Sequence, residues 1–214
     1  MVKQLNGFSQ PRSHERSYGA FTLIELLVVI GVIAILAGIL LGVMPAAQAK
    51  SVRSRVKAEM KAVQTAIESY KAKQNFYPPG DFRDGFPNTL FYELTGTTNL
   101  PIGTELSYYS IFSPNEVLTK AQIQNIFGMD GFLNTGSAGD EGGVINFYKT
   151  LRPAQVRTNA VPASMLAAPR RGMDGQPALW HYNKSSPTNN VGEFDLWAEV
   201  ELRGQKVTIG NWEK

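Results

Sequence analysis

The stretch from Phe21 to Met44 constrains this chain more than any other. It runs 24 residues with a single charge, Glu25, and none from Leu26 to Met44. As a helix it would rise about 36 Å, against about 30 Å of bilayer hydrocarbon. Its Val, Ile and Leu residues fall on every side of such a helix, so it has no polar face to turn to water. A plain single-pass anchor satisfies this pattern. A cleaved secretory signal is a second reading, since Ala47-Gln48-Ala49 has the small-x-small form of a cleavage site. The apolar core of a secretory signal is only about 7–15 residues long, and this run exceeds that. Glu25 supports a third reading. A carboxylate within an apolar span costs about 2.5–3.5 kcal/mol at the centre and less toward the ends, so it calls for a partner. No Lys, Arg or His lies between Phe21 and Ala49. The partner expected is therefore interfacial water or a cation on another copy of the chain.

The residues around Glu25 carry a resemblance. Tyr18-Gly19-Ala20-Phe21-Thr22-Leu23-Ile24-Glu25-Leu26-Leu27-Val28-Val29-Ile30 resembles the cleavage and methylation motif of type IV pilins and type II secretion pseudopilins. The resemblance implies a leader, residues 1–20, removed on the cytoplasmic side by a prepilin peptidase. It implies N-methylation of the new first residue, Phe21, and a role in filament assembly for the acid at the fifth mature position, Glu25. That acid would pair with the N-terminal amine of a neighbouring subunit and set the axial register. The family usually has Gly directly before the cut, whereas here Gly19 stands one position early and Ala20 precedes Phe21. A cut after Ala20 keeps Phe first and Glu25 fifth; a cut after Gly19 would make Glu25 sixth. Lys3, Arg12 and Arg16 precede the apolar run, while Lys50, Arg53, Arg55, Lys57 and Lys61 follow it. The bias of basic residues alone places the C-terminal side in the cytoplasm. The resemblance implies the opposite, a single-pass protein of the bacterial inner membrane with its head in the periplasm.

Past the apolar run, Val52, Val56, Met60, Val63, Ile67 and Tyr70 recur at spacings of three and four. This predicts an amphipathic continuation of the helix, residues 45–76, reaching Lys73 and stopped by Asn75 and Pro78-Pro79-Gly80. Pro45 is tolerated within it. Its apolar stripe requires a sheet to cover it. The remainder, 77–214, reads as a globular head. A short helix is expected over 88–95. A second is expected to start at Ser113-Pro114 with Ser113 as N-cap, and to end at Gly128. Residues 134–143 read as a flexible loop. Strands are expected at Val144–Tyr148, Leu179–Asn183, Phe194–Leu202 and Lys206–Ile209, the last two joined by a hairpin at Arg203-Gly204-Gln205. Three segments are similar to major pseudopilins of the protein G type: Tyr70 to Pro78, Asp174-Gly175-Gln176-Pro177, and Phe194-Asp195-Leu196-Trp197 with Ile209-Gly210-Asn211-Trp212. Residues 81–171 enlarge the usual short middle. The fold class implied is α+β, a long N-terminal helix packed on a small antiparallel sheet.

Composition removes several chemistries. With no cysteine, the chain has no disulfide, thiolate metal site or cysteine nucleophile. The net charge of +3 is unevenly spread: residues 77–214 carry eleven Lys/Arg against fourteen Asp/Glu. A slightly acidic head argues against nucleic acid as a partner. His14 lies in the leader and His181 between Trp180 and Tyr182, with no catalytic motif around either. Major pseudopilins often hold calcium before their C-terminal strands. The oxygen ligands available for it here are Asp195, Glu199 and Glu201, or Asp130, Asp140 and Glu141, but neither set has a calcium-loop spacing. Arg170-Arg171 reads as solvated surface or a contact for an acidic partner. The function implied is a structural filament subunit with no enzymatic activity and no cofactor, its partners being copies of itself, the peptidase, inner-membrane machinery and lipid. The alternatives are a tethered binding or adhesin module that uses residues 81–171, and an anchored enzyme.

Overall fold

A computed structural model describes residues 21–80, 87–102, 105–137, 143–161 and 163–213; the side chains of residues 40–46, 102 and 159–161 lie outside the description. The chain divides into two compact units, Met1–Ala46 and Ala47–Lys214. Helix α1, Leu23–Gln74, begins in the first and ends in the second. It continues through Pro45 and stops where expected. Asn75 takes a left-handed conformation, φ 66°, and its N–H closes on the Lys71 carbonyl at 2.8 Å.

In the second unit the predicted apolar stripe is the core side of α1. Val56, Met60, Val63, Ile67 and Tyr70 are buried, and Val52 packs beside them. They share one core with a five-stranded antiparallel sheet of order β5-β6-β7-β8-β9. Its strands are β5 (Val156–Val161), β6 (Ala163–Arg171), β7 (Pro177–Asn183), β8 (Asp195–Leu202) and β9 (Gln205–Gly210). Residues alternate in and out along β7 and β8, which places Trp180, Tyr182, Leu196, Ala198 and Val200 inside. The β8–β9 turn is one residue tighter than expected. Leu202 pairs with Gln205, so only Arg203 and Gly204 turn, at φ 57° and 74°. Two successive positive φ values match the right-handed twist of the flanking strands.

The enlarged middle is structured rather than loop-like. Helix α2, Leu90–Thr95, lies where a short helix was expected. After it, β1 (Thr97–Ile102), β2 (Glu105–Ser110), β3 (Val117–Thr119) and β4 (Thr135–Ser137) form a second sheet of order β3-β2-β1-β4. Three expectations fail here. The helix expected from Ser113 is α3, Lys120–Phe127, because Val117–Thr119 pairs with β2 and buries Leu118. Its cap is Thr119, whose hydroxyl accepts from the Gln122 N–H while the Gln122 side chain accepts from the Thr119 N–H. That reciprocal box satisfies two donors at once; Ser113-x-x-Glu116 has the same pattern, but the Glu116 carboxylate is taken by Tyr92 and Ser164. Gly128 closes this helix in the left-handed region, as expected. The predicted loop 134–143 contains β4, paired in parallel with β1, while residues 138–142 lie outside the described residues. Val144–Tyr148 is not a strand. Its N–H groups are taken by the Asn134 side chain and by the Leu94 carbonyl, so no ladder is available to it.

One buried acid ties these parts together. Glu93, on α2, is fully buried. Its carboxylate accepts from the Tyr70 hydroxyl at 2.9 Å and from the Leu133 and Asn134 N–H groups at 2.8 and 3.0 Å. Burial pushes the Glu93 carboxyl above its usual range, and these donors offset the shift only partly. Replacing Glu93 by Ala strands two backbone N–H groups and a phenol. It is expected to destabilise the head by about 3 kcal/mol in a urea titration, whereas Glu105→Ala on the exposed end of β2 should cost under about 0.5 kcal/mol.

Candidate functional site: the start of helix α1

Every described side chain from Phe21 to Ile39 is exposed. Phe21 is 84% accessible, Leu23 81% and Ile39 62%. A helix apolar on all sides has no stable place alone in water; lipid or other helices must cover it. Among the described residues no helix is long and apolar enough to cross a membrane, and the described side chains of this run end at Ile39.

Glu25 has a partner that sequence reasoning missed. Its Oε2 accepts from the Thr22 backbone N–H at 2.8 Å and from the Thr22 hydroxyl at 2.7 Å, while the Glu25 N–H donates to Thr22 Oγ1 at 3.2 Å. Thr22-x-x-Glu25 is thus a capping box, and Leu26 N–H reaches the Thr22 carbonyl at 3.2 Å to begin the ladder. The signal was present in the sequence as Thr followed three residues later by Glu before an apolar run. The expectation that Glu25 would find only water or another copy is corrected to this extent. Gly19 and Ala20 of the expected processing site lie outside the described residues, which begin at Phe21.

The structure does not bring the calcium candidates together. Asp195 is 2% exposed, and its carboxylate accepts from the backbone N–H groups of Thr188, Asn189 and Asn190 at 2.8–3.0 Å. The Thr188 hydroxyl and the Asn189 amide reach the same carboxylate. Converging donors make a site for an anion, which the carboxylate itself fills; a calcium ion needs converging oxygens. Burial raises the Asp195 pKa, but the N–H donors of Asn189, Thr188 and Asn190 outweigh it and hold it below the usual carboxylate range. Glu199 pairs with Lys206 at 2.9 Å and Glu201 with Arg170 at 3.3 Å. Asp130 pairs with Lys120 at 3.8 Å, and Asp140 and Glu141 lie outside the described residues. No group of three or more metal-ligating side chains occurs among the described residues. Among the described residues, Asp195, Glu199, Glu201 and Asp130 are thus taken by other partners and do not form a calcium site.

His181 stacks on Trp197, centroids 5.2 Å apart and planes 18° from parallel, and burial lowers its pKa. That is a packed structural ring. The C-terminal segment is a further lock. Asn211 Oδ1 accepts from the Leu196 N–H and the Asn190 amide, and Trp212 covers Gly210, where a Cβ would meet the indole at 2.5 Å. Glu213 reaches back to Arg53 and Lys57 on α1 at 3.5 and 3.6 Å.

Residues 16–41 match the family model described as the prokaryotic N-terminal methylation motif. The match covers the capping box and most of the exposed apolar helix, and it supports a type IV pilin-like protein with the N-terminal processing typical of prepilin-peptidase substrates. No curated protein and no solved structure matches the chain.

Asp195 yields a pH test. Its folded pKa lies below the unfolded value of about 3.9, so its contribution is present above that pH and is lost as pH falls through the folded value. Asp195→Asn is expected to cost about 1–3 kcal/mol at pH 7, and the gap from wild type should shrink as denaturation is repeated below about pH 4. Calcium or chelator should leave the melting temperature of the wild type unchanged.

Proposed function

We propose that this chain is a structural subunit of a type IV pilin-like filament, of the kind used as the major pseudopilin of a type II secretion apparatus. The observation that carries this reading is the start of α1: a methylation-type motif opening a helix that is apolar on every side and holds one acid. In this account residues 1–20 are removed by the peptidase, and Phe21 becomes the methylated first residue. The helix holds the subunit in the inner membrane with its head outside, and the same apolar surface then packs against other copies as a filament grows. Proteins with this motif are structural subunits, and this one acts by assembly, without a catalytic centre. Glu25 sets the register by pairing with the new amine of a neighbour.

A tethered recognition module is the second reading. It is favoured by the second sheet, whose Leu100, Leu106 and Val117 are 37–39% exposed. Filament incorporation with no effect on secretion would favour it.

Mass spectrometry of the mature protein is expected to begin at N-methyl-Phe21; a start near Ser51 would instead indicate a secretory signal. Glu25→Gln keeps the capping box, because Gln serves at that position, but removes the charge. It is expected to lower filament yield at least tenfold at normal protein level, with Thr22→Ala much milder. Equal yields for Glu25→Gln and wild type would sink the pairing role.

A further inference from the structure

The head carries a basic groove where two strands part. β5 and β6 form a ladder whose outermost pair is Val156 with Leu166. Before Val156 the chain is a turn of 3₁₀ helix, Pro153–Gln155, which cannot continue that ladder. β6 runs on to Arg171. Ala167 to Arg171 therefore have β7 on one side and, among the described residues, no strand on the other. The gap is a groove of about 750 Å³ lined by Arg55, Glu59, Arg152, Gln155, Arg170 and Arg171, with Ala168 and Pro169 in its apolar wall. Arg170 is held by Glu201. Arg55, Arg152 and Arg171 are exposed and make no ion pair among the described residues. Glu59 is the one carboxylate of the lining. Burial pushes it above its usual range, countered in part by Gln155, Trp180 and Arg152. The balance is positive.

An open strand edge offers backbone hydrogen bonds to an extended chain, and guanidinium forks beside it match carboxylates two oxygens at a time. A nucleic acid fits less well. No aromatic ring lines the groove for a base to stack on, and residues 77–214 carry more acid than base. A second copy offers no ready strand among the described residues. Its strands hold the acids Glu105, Asp195, Glu199 and Glu201, and the last three are already engaged within the chain. We propose that this groove binds an extended acidic segment of a partner protein other than this chain. The segment adds as a strand to the free edge of β6, and Arg55, Arg152 and Arg171 take its carboxylates. The inference stands on the head alone and does not depend on filament assembly.

The test uses the full chain in nonionic detergent. The probe is a short fluorescent peptide alternating glutamate with valine, read by fluorescence anisotropy. In a strand the backbone groups of alternate residues point to opposite edges, so N-methylating the glutamate amides blocks one edge and N-methylating the valine amides blocks the other. Wild type is expected to bind the probe, to bind one methylated form equally well, and to lose the other at least about tenfold. The triple variant Arg55→Gln, Arg152→Gln, Arg171→Gln should weaken binding of the probe at least about tenfold. The control Lys61→Gln, Lys73→Gln, Lys149→Gln removes the same charge from exposed residues that do not line the groove, and should change it less than about twofold. The methylated pair is read on wild type, so that outcome does not hang on the folding of a variant. No binding of the probe, equal binding of both methylated forms, loss of both, or an equal loss in the lysine control overturns the inference. Displacement of the probe by inorganic phosphate or single-stranded DNA as readily as by unlabelled peptide overturns it too. So does a wild type that self-associates through these arginines and leaves the probe unbound, since the occupant is then a second copy.

Discussion

The organising constraint is that α1 changes its solvent along its length. Over Leu23–Ile39 it is apolar on every side and exposed, while from Val52 to Tyr70 it has one apolar stripe and that stripe is buried. The second half is an ordinary amphipathic helix, stabilised by covering the inner face of a sheet. Burying five large side chains of this kind contributes about 1.5–3 kcal/mol each before chain entropy is counted. Among the described residues the first half has no such partner. Its apolar surface is stable only when something else covers it, and lipid and sister helices are the two environments of matching polarity. Storage in a membrane and packing into a filament, as proposed, would then be two uses of the same surface.

The head solves a different problem, holding a second sheet against the first without disulfides. Polar groups at buried junctions do this. Glu93 joins α1, α2 and the segment before β4, and Asn134 joins that segment to residue 145 through both ends of its amide. Glu116 accepts from Tyr92 and from the Ser164 N–H and hydroxyl, linking the approach to β3 with α2 and β6. Removing Glu93 would strand the Leu133 and Asn134 N–H groups, so that junction specifies the arrangement more strongly than apolar contact alone. Asp195 does the same for the loop before β8, where the carboxylate draws three consecutive N–H groups inward.

What could be read from the sequence follows from how local each signal is. The helix and its buried stripe were legible because six residues repeat at a helical period with no interruption. β8 and β9 were legible because Phe194 to Leu202 alternates cleanly and a Gly follows. β6 was not, since Ala163 to Ala168 is buried at every position and shows no alternation, and Pro169 argues against a strand. The four-stranded sheet was missed because its strands are short and rich in Thr, Ser and Asn. Its pairing depends on contacts such as Thr97 with Thr135, 38 residues apart. At the start of α1 the apolar run and the motif were both visible. The Thr22–Glu25 box was equally local, a hydroxyl three residues before the acid, but the cost of a charge in an apolar span points first to a cation, which no residue from Phe21 to Ala49 supplies.

That box bears on how Glu25 could serve two partners. Both Thr22 donors converge on Oε2, and no described residue is shown donating to Oε1. A carboxylate has room for about four acceptor contacts, so capping its own helix does not exhaust it. Capping is worth about 1 kcal/mol, whereas an amine held against a carboxylate in a poorly hydrated site interacts far more strongly. In the filament proposed above, the cap would fix the carboxylate's direction while the subunit is alone, and the amine of a neighbouring copy would then engage the remaining oxygen. A residue positioned in this way loses less side-chain freedom on pairing than a free Glu would, which is how a weak local bond can favour a strong contact between copies.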